Sequence, residues 1–198
     1  MKEMLSLKKS LNILKKTNAL LEGHFVLSSG LHSSYYIQCA KLLSYPHLAS
    51  SICKSLAIKI KKNFGNFDLI LSPAMGGIII GYEIGKLLKK ETIFCERIKG
   101  KFELRRGFRI TKNAKVLIIE DVITTGKSSM ECVSLIKRAK GKLVGFASII
   151  DRSSKKNLKI KKKIVSHLKI KVPTYKKNNL PTHLKSLPIT KPGSRYIK

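Results

Sequence analysis

Apolar residues along this chain alternate between helical spacing and short unbroken runs, and the switches between the two divide the sequence into elements. Leu7, Leu11 and Leu14 recur on one helical face, which predicts an amphipathic helix over residues 3–18. Residues 24–28 and 34–39 read as two short strands around a Ser/Gly-rich turn, and Pro46 precedes a helix over 47–62 whose Leu48, Ile52, Leu56 and Ile60 share one side. The pattern then becomes regular: strand 68–72, helix 77–88, strand 92–96, strand 116–120, helix 128–139 and strand 143–150. A run such as Val116 to Ile119, apolar without interruption, suits a strand buried on both faces of a parallel sheet. Its alternation with helices predicts an α/β fold with a doubly wound, mainly parallel sheet. The Lys-rich stretch 155–163 reads as a linker or exposed edge. After it come an apolar patch at Ile164 to Leu168 and prolines at 173, 181, 188 and 192, so the tail is expected to fold back as part of a small hood.

Composition narrows the class. A chain of 198 residues suits one domain, large enough to bury roughly 70% of its unfolded surface without metals or disulfides. The expected division is a core over about 46–155 and a hood built from about 1–45 and 160–198. Cys39, Cys53, Cys95 and Cys132 form no CxxC pair and read as reduced, buried thiols. No window approaches the roughly 20 apolar residues of a membrane helix, so a soluble cytoplasmic protein is expected.

The net charge of +30 invites a nucleic-acid reading, but lysines fall on nearly every predicted surface face and form no stripe with interleaved aromatics. Of the 41 basic residues only seven are arginine, and Arg97, Arg105, Arg106 and Arg109 lie within 13 positions. A planar guanidinium is hard to replace where phosphate or carboxylate must be oriented, so this cluster carries more information than the lysine coat. The histidines have no metal-ligand spacing.

The most informative segment is VLIIEDVITTGKSS, residues 116–129. Glu120 and Asp121 follow the buried run, and burying two adjacent charges inside the sheet would be costly. Their cheaper location is the carboxyl edge, where ligands of doubly wound folds sit. Thr124, Thr125, Gly126, Lys127 and Ser128 then supply hydroxyls and a flexible backbone before a helix whose free N–H groups would face an anion. Carboxylates accept hydrogen bonds from sugar hydroxyls and exposed amides donate to phosphate, so the pair fits a ribose 5-phosphate. A nucleoside-triphosphate loop is rejected by spacing: it needs a glycine five positions before Gly126, and Asp121 stands there.

This segment resembles the phosphoribosyl-diphosphate (PRPP) signature of type I phosphoribosyltransferases. FVLSSGLHSSYYIQC at 25–39, SPAMGG at 72–77, ERIKGKFELRRGF at 96–108, Asp151 with Arg152, and KPGSR at 191–195 narrow the resemblance to the orotate phosphoribosyltransferases. The resemblance implies transfer of ribose 5-phosphate from PRPP to N1 of orotate, giving orotidine 5′-monophosphate and diphosphate in UMP biosynthesis. It implies Mg2+ carried on the diphosphate with no direct protein ligand, and a homodimer with shared sites. It implies neither a specific nucleic-acid partner nor a membrane.

Under it, Glu120 and Asp121 hold the ribose hydroxyls, and Val122, Ile123 and Thr124 to Ser128 complete the PRPP site. The 96–108 loop reads as a mobile cationic lid in which Arg97 and Lys101, with Arg105 and Arg106 behind them, reach the diphosphate of a neighbouring subunit; a solvated basic hairpin is the bland alternative. The 72–77 turn approaches diphosphate through its backbone. Arg152 grips the orotate carboxylate and Thr124 shares the base. Tyr35 and Tyr36 stack beside the ring or, alternatively, fill the hood core, while Ser28 is a weak contact at most. Two rival functions remain: a phosphoribosyltransferase for another base, and an RNA-binding regulator on the same fold.

Overall fold

A computed structural model of the chain describes residues 4–27, 29–154 and 157–192. Ser28 and the Gly193, Ser194 and Arg195 part of the KPGSR motif lie outside the described residues.

The first helix, α1 (Leu7–Lys16), starts later than its apolar spacing suggested, because Ser6 caps it: the Ser6 Oγ accepts from the Lys9 N–H at 3.3 Å. Strands β1 (Leu20–Val26) and β2 (His32–Ile37) form an antiparallel pair, followed by a short helix α2 (Cys39–Leu43) that the sequence pattern did not reveal. The core then alternates as α3 (Pro46–Asn63), β3 (Leu69–Pro73), α4 (Gly76–Leu88), β4 (Glu91–Ile98), β5 (Lys101–Leu104), β6 (Lys115–Ile123), α5 (Lys127–Arg138), β7 (Lys142–Asp151) and β8 (Ile164–Lys169). The tail adds β9 (Thr174–Tyr175), α6 (Thr182–Lys185) and β10 (Ile189–Thr190).

Two sheets result. The larger has the order β5-β4-β3-β6-β7-β8, parallel throughout except for β5 at its edge; the hood sheet has the order β10-β1-β2-β9. β8 corrects one boundary of the sequence reading. Residues 164–169 pair with β7 in the large sheet, so the C-terminal part of the hood begins with β9. The Lys-rich run before β8 masked this assignment, since a parallel edge strand needs only a short apolar stretch.

Alternate residues of the central strands feed two cores. Leu117 and Ile119 of β6 join Ile52 and Leu56 of α3 and Ile80 of α4 on one side, while Val116 and Ile118 join Cys132 and Ile136 of α5 on the other. The connection from β3 through α4 runs to one side of the sheet and that from β6 through α5 to the other. The chain therefore reverses its direction of travel between β3 and β6, and the crevice outside their carboxyl ends is where a doubly wound fold binds its ligand.

Candidate active site

The acidic pair lies at this crevice, but its members point to opposite faces of β6. Glu120 follows Ile118 in the alternation and meets α5, where Ser129 Oγ donates to its Oε1. Asp121 follows Ile119 and meets α4: a Cβ placed on Gly76 would lie 2.7 Å from Asp121 Oδ2. Each carboxylate thus sits at the first turn of a helix, where the peptide dipoles favour negative charge. Burial still dominates. Desolvation pushes Glu120 up to about 7, partly offset by Ser129 and reinforced by the Asp121 charge, and desolvation likewise raises Asp121 against the Val122 N–H that donates to its Oδ1 at 2.8 Å.

β6 runs on past residue 120, where the sequence pattern ended it, to Ile123. Val122 pairs with Ile150 and Ile123 with Asp151, and the Ile123 side chain is buried in the α5-side core. The sequence reading placed both in the PRPP site; the structure makes their side chains packing groups, because two adjacent charges did not stop the ladder once each had a helix terminus to face. The Ile123 carbonyl also accepts from the Arg152 N–H at 2.8 Å, which fixes where Arg152 emerges.

Thr124 and Thr125 are exposed at the loop, and Gly126 takes φ 73°, a conformation that favours glycine. α5 then begins with no side-chain cap and no acid in its first turn. The Lys127 N–H has only a long 3.4 Å contact to Thr125 Oγ1, so the turn presents donors to an outside acceptor, and Ser128 lies half-buried within it. Across the crevice, the 72–77 turn contains a cis Ala74–Met75 peptide bond and leads into α4.

The 96–108 segment is not an open loop. Ile98 pairs with Lys101 around Lys99 and Gly100, both at positive φ, which makes a tight two-residue hairpin between β4 and β5. Arg97 is anchored there: its Nη1 lies 2.8 Å from Glu131 Oε2 on α5 and donates to the Gly100 carbonyl at 2.7 Å, with its guanidinium 4.1 Å from the Phe102 ring centre. Arg106 donates from Nε and Nη2 to Glu96 Oε1 at 2.9 and 2.8 Å, and Arg105 lies 3.7 Å from the other Glu96 oxygen. Lys101 stays exposed at the tip. Of the four predicted lid cations, Arg97 and Arg106 are thus tied within their own chain, Arg105 makes only a long contact, and Lys101 is exposed with no partner among the described residues.

Arg152 is brought to Tyr36 beneath the hood. Its Nε is buried without a partner among the described residues, and desolvation lowers its pKa, an arrangement that lacks an anion. The Tyr36 hydroxyl donates to Gln38 Oε1 at 2.6 Å and its ring lies 5.8 Å from that of Phe25. Tyr35, one residue earlier on β2, faces the other way and packs on the apolar core, so the structure separates the two tyrosines that the sequence reading put on one base. Cys39 ties hood to core, its Sγ 3.8 Å from the Asp121 carbonyl. Gln38 was missed by sequence reasoning; only the fold puts it beside the Tyr36 hydroxyl. Among the described residues no cluster of His, Cys, Asp or Glu can hold a metal ion by itself, and no helix is long and apolar enough to cross a membrane.

A doubly wound sheet with an acid pair and an uncapped Thr124–Ser128 turn at its switch point, roofed by a small β hood, is the frame in which the chain matches the phosphoribosyltransferase class. The family model described as "Phosphoribosyl transferase domain" matches residues 45–186. An orotate phosphoribosyltransferase from Erythrobacter litoralis is 46% identical over 91% of this chain and 94% of its own length, and one from Caldicellulosiruptor saccharolyticus is 44% identical over 95% and 97%. The chain belongs to the orotate phosphoribosyltransferase family. Among solved structures, the orotate phosphoribosyltransferase of Aeropyrum pernix superposes with a TM-score of 0.69 at 22% identity, covering 80% of this chain and 92% of that one, and so supports the fold.

Proposed function

We propose that this chain transfers ribose 5-phosphate from PRPP to N1 of orotate as a cytoplasmic homodimer, with Mg2+ entering on the diphosphate. The unpartnered, buried Arg152 Nε beside Tyr36 carries the choice of base: a planar ring bearing a carboxylate supplies the anion that this guanidinium lacks. The phosphate turn Thr124 to Ser128 holds the 5-phosphate, with N–H groups at the start of α5 donating to its oxygens. Glu120 and Asp121, one on each side of the strand end, accept from the ribose hydroxyls. As the bond at the anomeric carbon breaks, positive charge grows on the sugar and negative charge on diphosphate, so fixed charges matter more than any nucleophile. Mg2+, an ion commonly held through substrate phosphates, would offset part of the diphosphate charge. Buried free thiols at all four cysteines support a reducing compartment.

The second half of the site is assigned to the partner subunit. Lys101 sits at the tip of the β4–β5 hairpin, and Met75 at the N-cap of α4 together with Ile79 and Tyr82 in its first turns is exposed, an apolar stripe suited to a second copy. Incubation with PRPP, Mg2+ and each of orotate, uracil, hypoxanthine and adenine tests the reading: turnover is expected with orotate. Arg152→Gln is expected to raise the orotate KM about 100-fold, as for loss of a charge-assisted contact, with the PRPP KM unchanged. Turnover with a purine alone overturns the assignment.

A further inference from the structure

The parallel sheet sorts charge in a way the linear sequence concealed. Every core helix ends, and every core strand except the antiparallel β5 begins, at the amino edge of the large sheet, on the side opposite the catalytic crevice. Each of those junctions brings exposed lysines, among them Lys62, Lys89, Lys115, Lys140, Lys142 and Lys162. Asp68 and Glu91 are the acids at this edge among the described residues, and Asp68 is engaged by the Lys115 N–H at 2.8 Å. Lys115 and Lys142 even stand in register on neighbouring strands, a like-charge pairing that is destabilising unless something answers it. Helix dipoles account for a cation in each last turn, not for the lysines that open the strands.

A hollow of about 300 Å³ opens within this face. Phe64, Phe67 and Leu88 line it, with Asn66 and flanking Lys61 and Lys90. The Lys90 Nζ donates to Asn66 Oδ1 at 3.1 Å and lies 5.4 Å from the Phe67 ring centre, so the wall is held in place while Asn66 Nδ2 keeps its donor capacity, with no partner among the described residues. The floor of the hollow is apolar, with Phe64 and Phe67 only 7% and 4% exposed, and one amide and two cations beside it match a splayed-out nucleobase with phosphates on either side. A membrane surface fits poorly, because the large apolar side chains that are exposed, such as Met75, Ile79 and Tyr82, lie away from this edge.

We propose that the amino edge of the large sheet binds single-stranded RNA, with its phosphates on the strand-opening lysines and one base in the Phe64–Phe67 hollow. The surface is independent of the catalytic crevice and does not depend on which base the enzyme uses. The test is fluorescence anisotropy of a labelled single-stranded oligouridine on the full chain across a salt series. The triple variant Lys62→Glu, Lys115→Glu, Lys142→Glu is expected to weaken binding more than tenfold and to lower the slope of log K against log salt by about 2, at roughly 0.7 per phosphate contact. A matched triple on α1, Lys8→Glu, Lys9→Glu, Lys16→Glu, is expected to change it less than twofold. Asn66→Ala is expected to weaken oligouridine binding several-fold and leave inorganic polyphosphate binding unchanged; phosphoribosyl transfer by every variant should match the parent and certify folding. Equal losses from the two triples would reduce the face to a general coat and overturn the proposal. Binding of duplex RNA as tight as single-stranded, or an Asn66→Ala variant indistinguishable from the parent, would do the same.

Discussion

Glu120 shows how burial, strand and helix terminus act together on one carboxyl. Burial pushes its carboxyl up to about 7, yet hydrogen bonds from hydroxyls are stronger to the ionised form, so in the proposed ribose contact PRPP binding should draw a proton off it. The sign follows: affinity for PRPP should rise as pH increases through 7, because at higher pH the proton is already gone. In Glu120→Gln that pH-linked rise should vanish between pH 6 and 8, and PRPP affinity at pH 8 should fall about tenfold, in line with a lost hydrogen bond to a charged group. Calorimetric titration at the two pH values checks it; an unchanged pH dependence removes Glu120 from the ribose contacts. Gly76 makes the complementary case for Asp121. A methyl group there would meet the carboxylate at 2.7 Å, so Gly76→Ala should displace it and lower kcat/KM for PRPP roughly 100-fold, a loss on the scale of one preorganised electrostatic contact. Circular dichroism and melting temperature should stay close to the parent. The placement of the acid pair and of the Thr124–Ser128 turn at the sheet's carboxyl edge was legible at this scale because their residue types are chemically specific. That the two acids face different helices was not legible, since it depends on where α4 and α5 pack.

At the scale of elements, the β4–β5 hairpin is the piece that the proposed composite site draws from the partner subunit. Arg97 and Arg106 are anchored to Glu131 and Glu96, whereas Lys101 is exposed, which in the proposed homodimer leaves Lys101 to reach a partner's diphosphate. Lys101→Ala and Asp121→Asn should each be about 100-fold slower as pure dimers. Mixed and allowed to exchange, they should recover up to about a quarter of parental activity, because a heterodimer carries one intact composite site. No recovery would place both residues in the same subunit's site. The hairpin also explains a misreading: flanking charges suggested a loose loop, but Lys99 and Gly100 at positive φ are a two-residue turn, and short strands such as β5 gain their order from pairing with a neighbour rather than from their own pattern. β8 was obscured in the same way by the lysines before it, and α2 by its length of five residues.

For the whole molecule, charge sets the terms of association. Two copies at +30 repel strongly, and in the proposed homodimer the apolar Met75, Ile79 and Tyr82 face has to outweigh that repulsion with help from screening, which has a length of about 8 Å at physiological ionic strength and about 30 Å at 0.01 M. The dimer should therefore dissociate as salt is lowered, and Tyr82→Glu should shift dissociation to higher salt. Sedimentation velocity across a salt series follows both, and a monomer that is fully active at every salt concentration would rule out a composite site.

The sequence by itself determined the alternation of strands and helices, the acid pair with the Thr124–Ser128 turn after it, and Arg152 beyond the last central strand, because these rest on local periodicity and on residue types that few environments tolerate. Tertiary structure alone decided which helix each acid faces, that Tyr36 and not Tyr35 meets Arg152, that Arg97 is held by Glu131, and that scattered lysines converge on the amino edge. Those outcomes depend on the sheet's strand order and the side taken by each crossover. Both are fixed by packing between residues far apart in the chain, which no local pattern encodes.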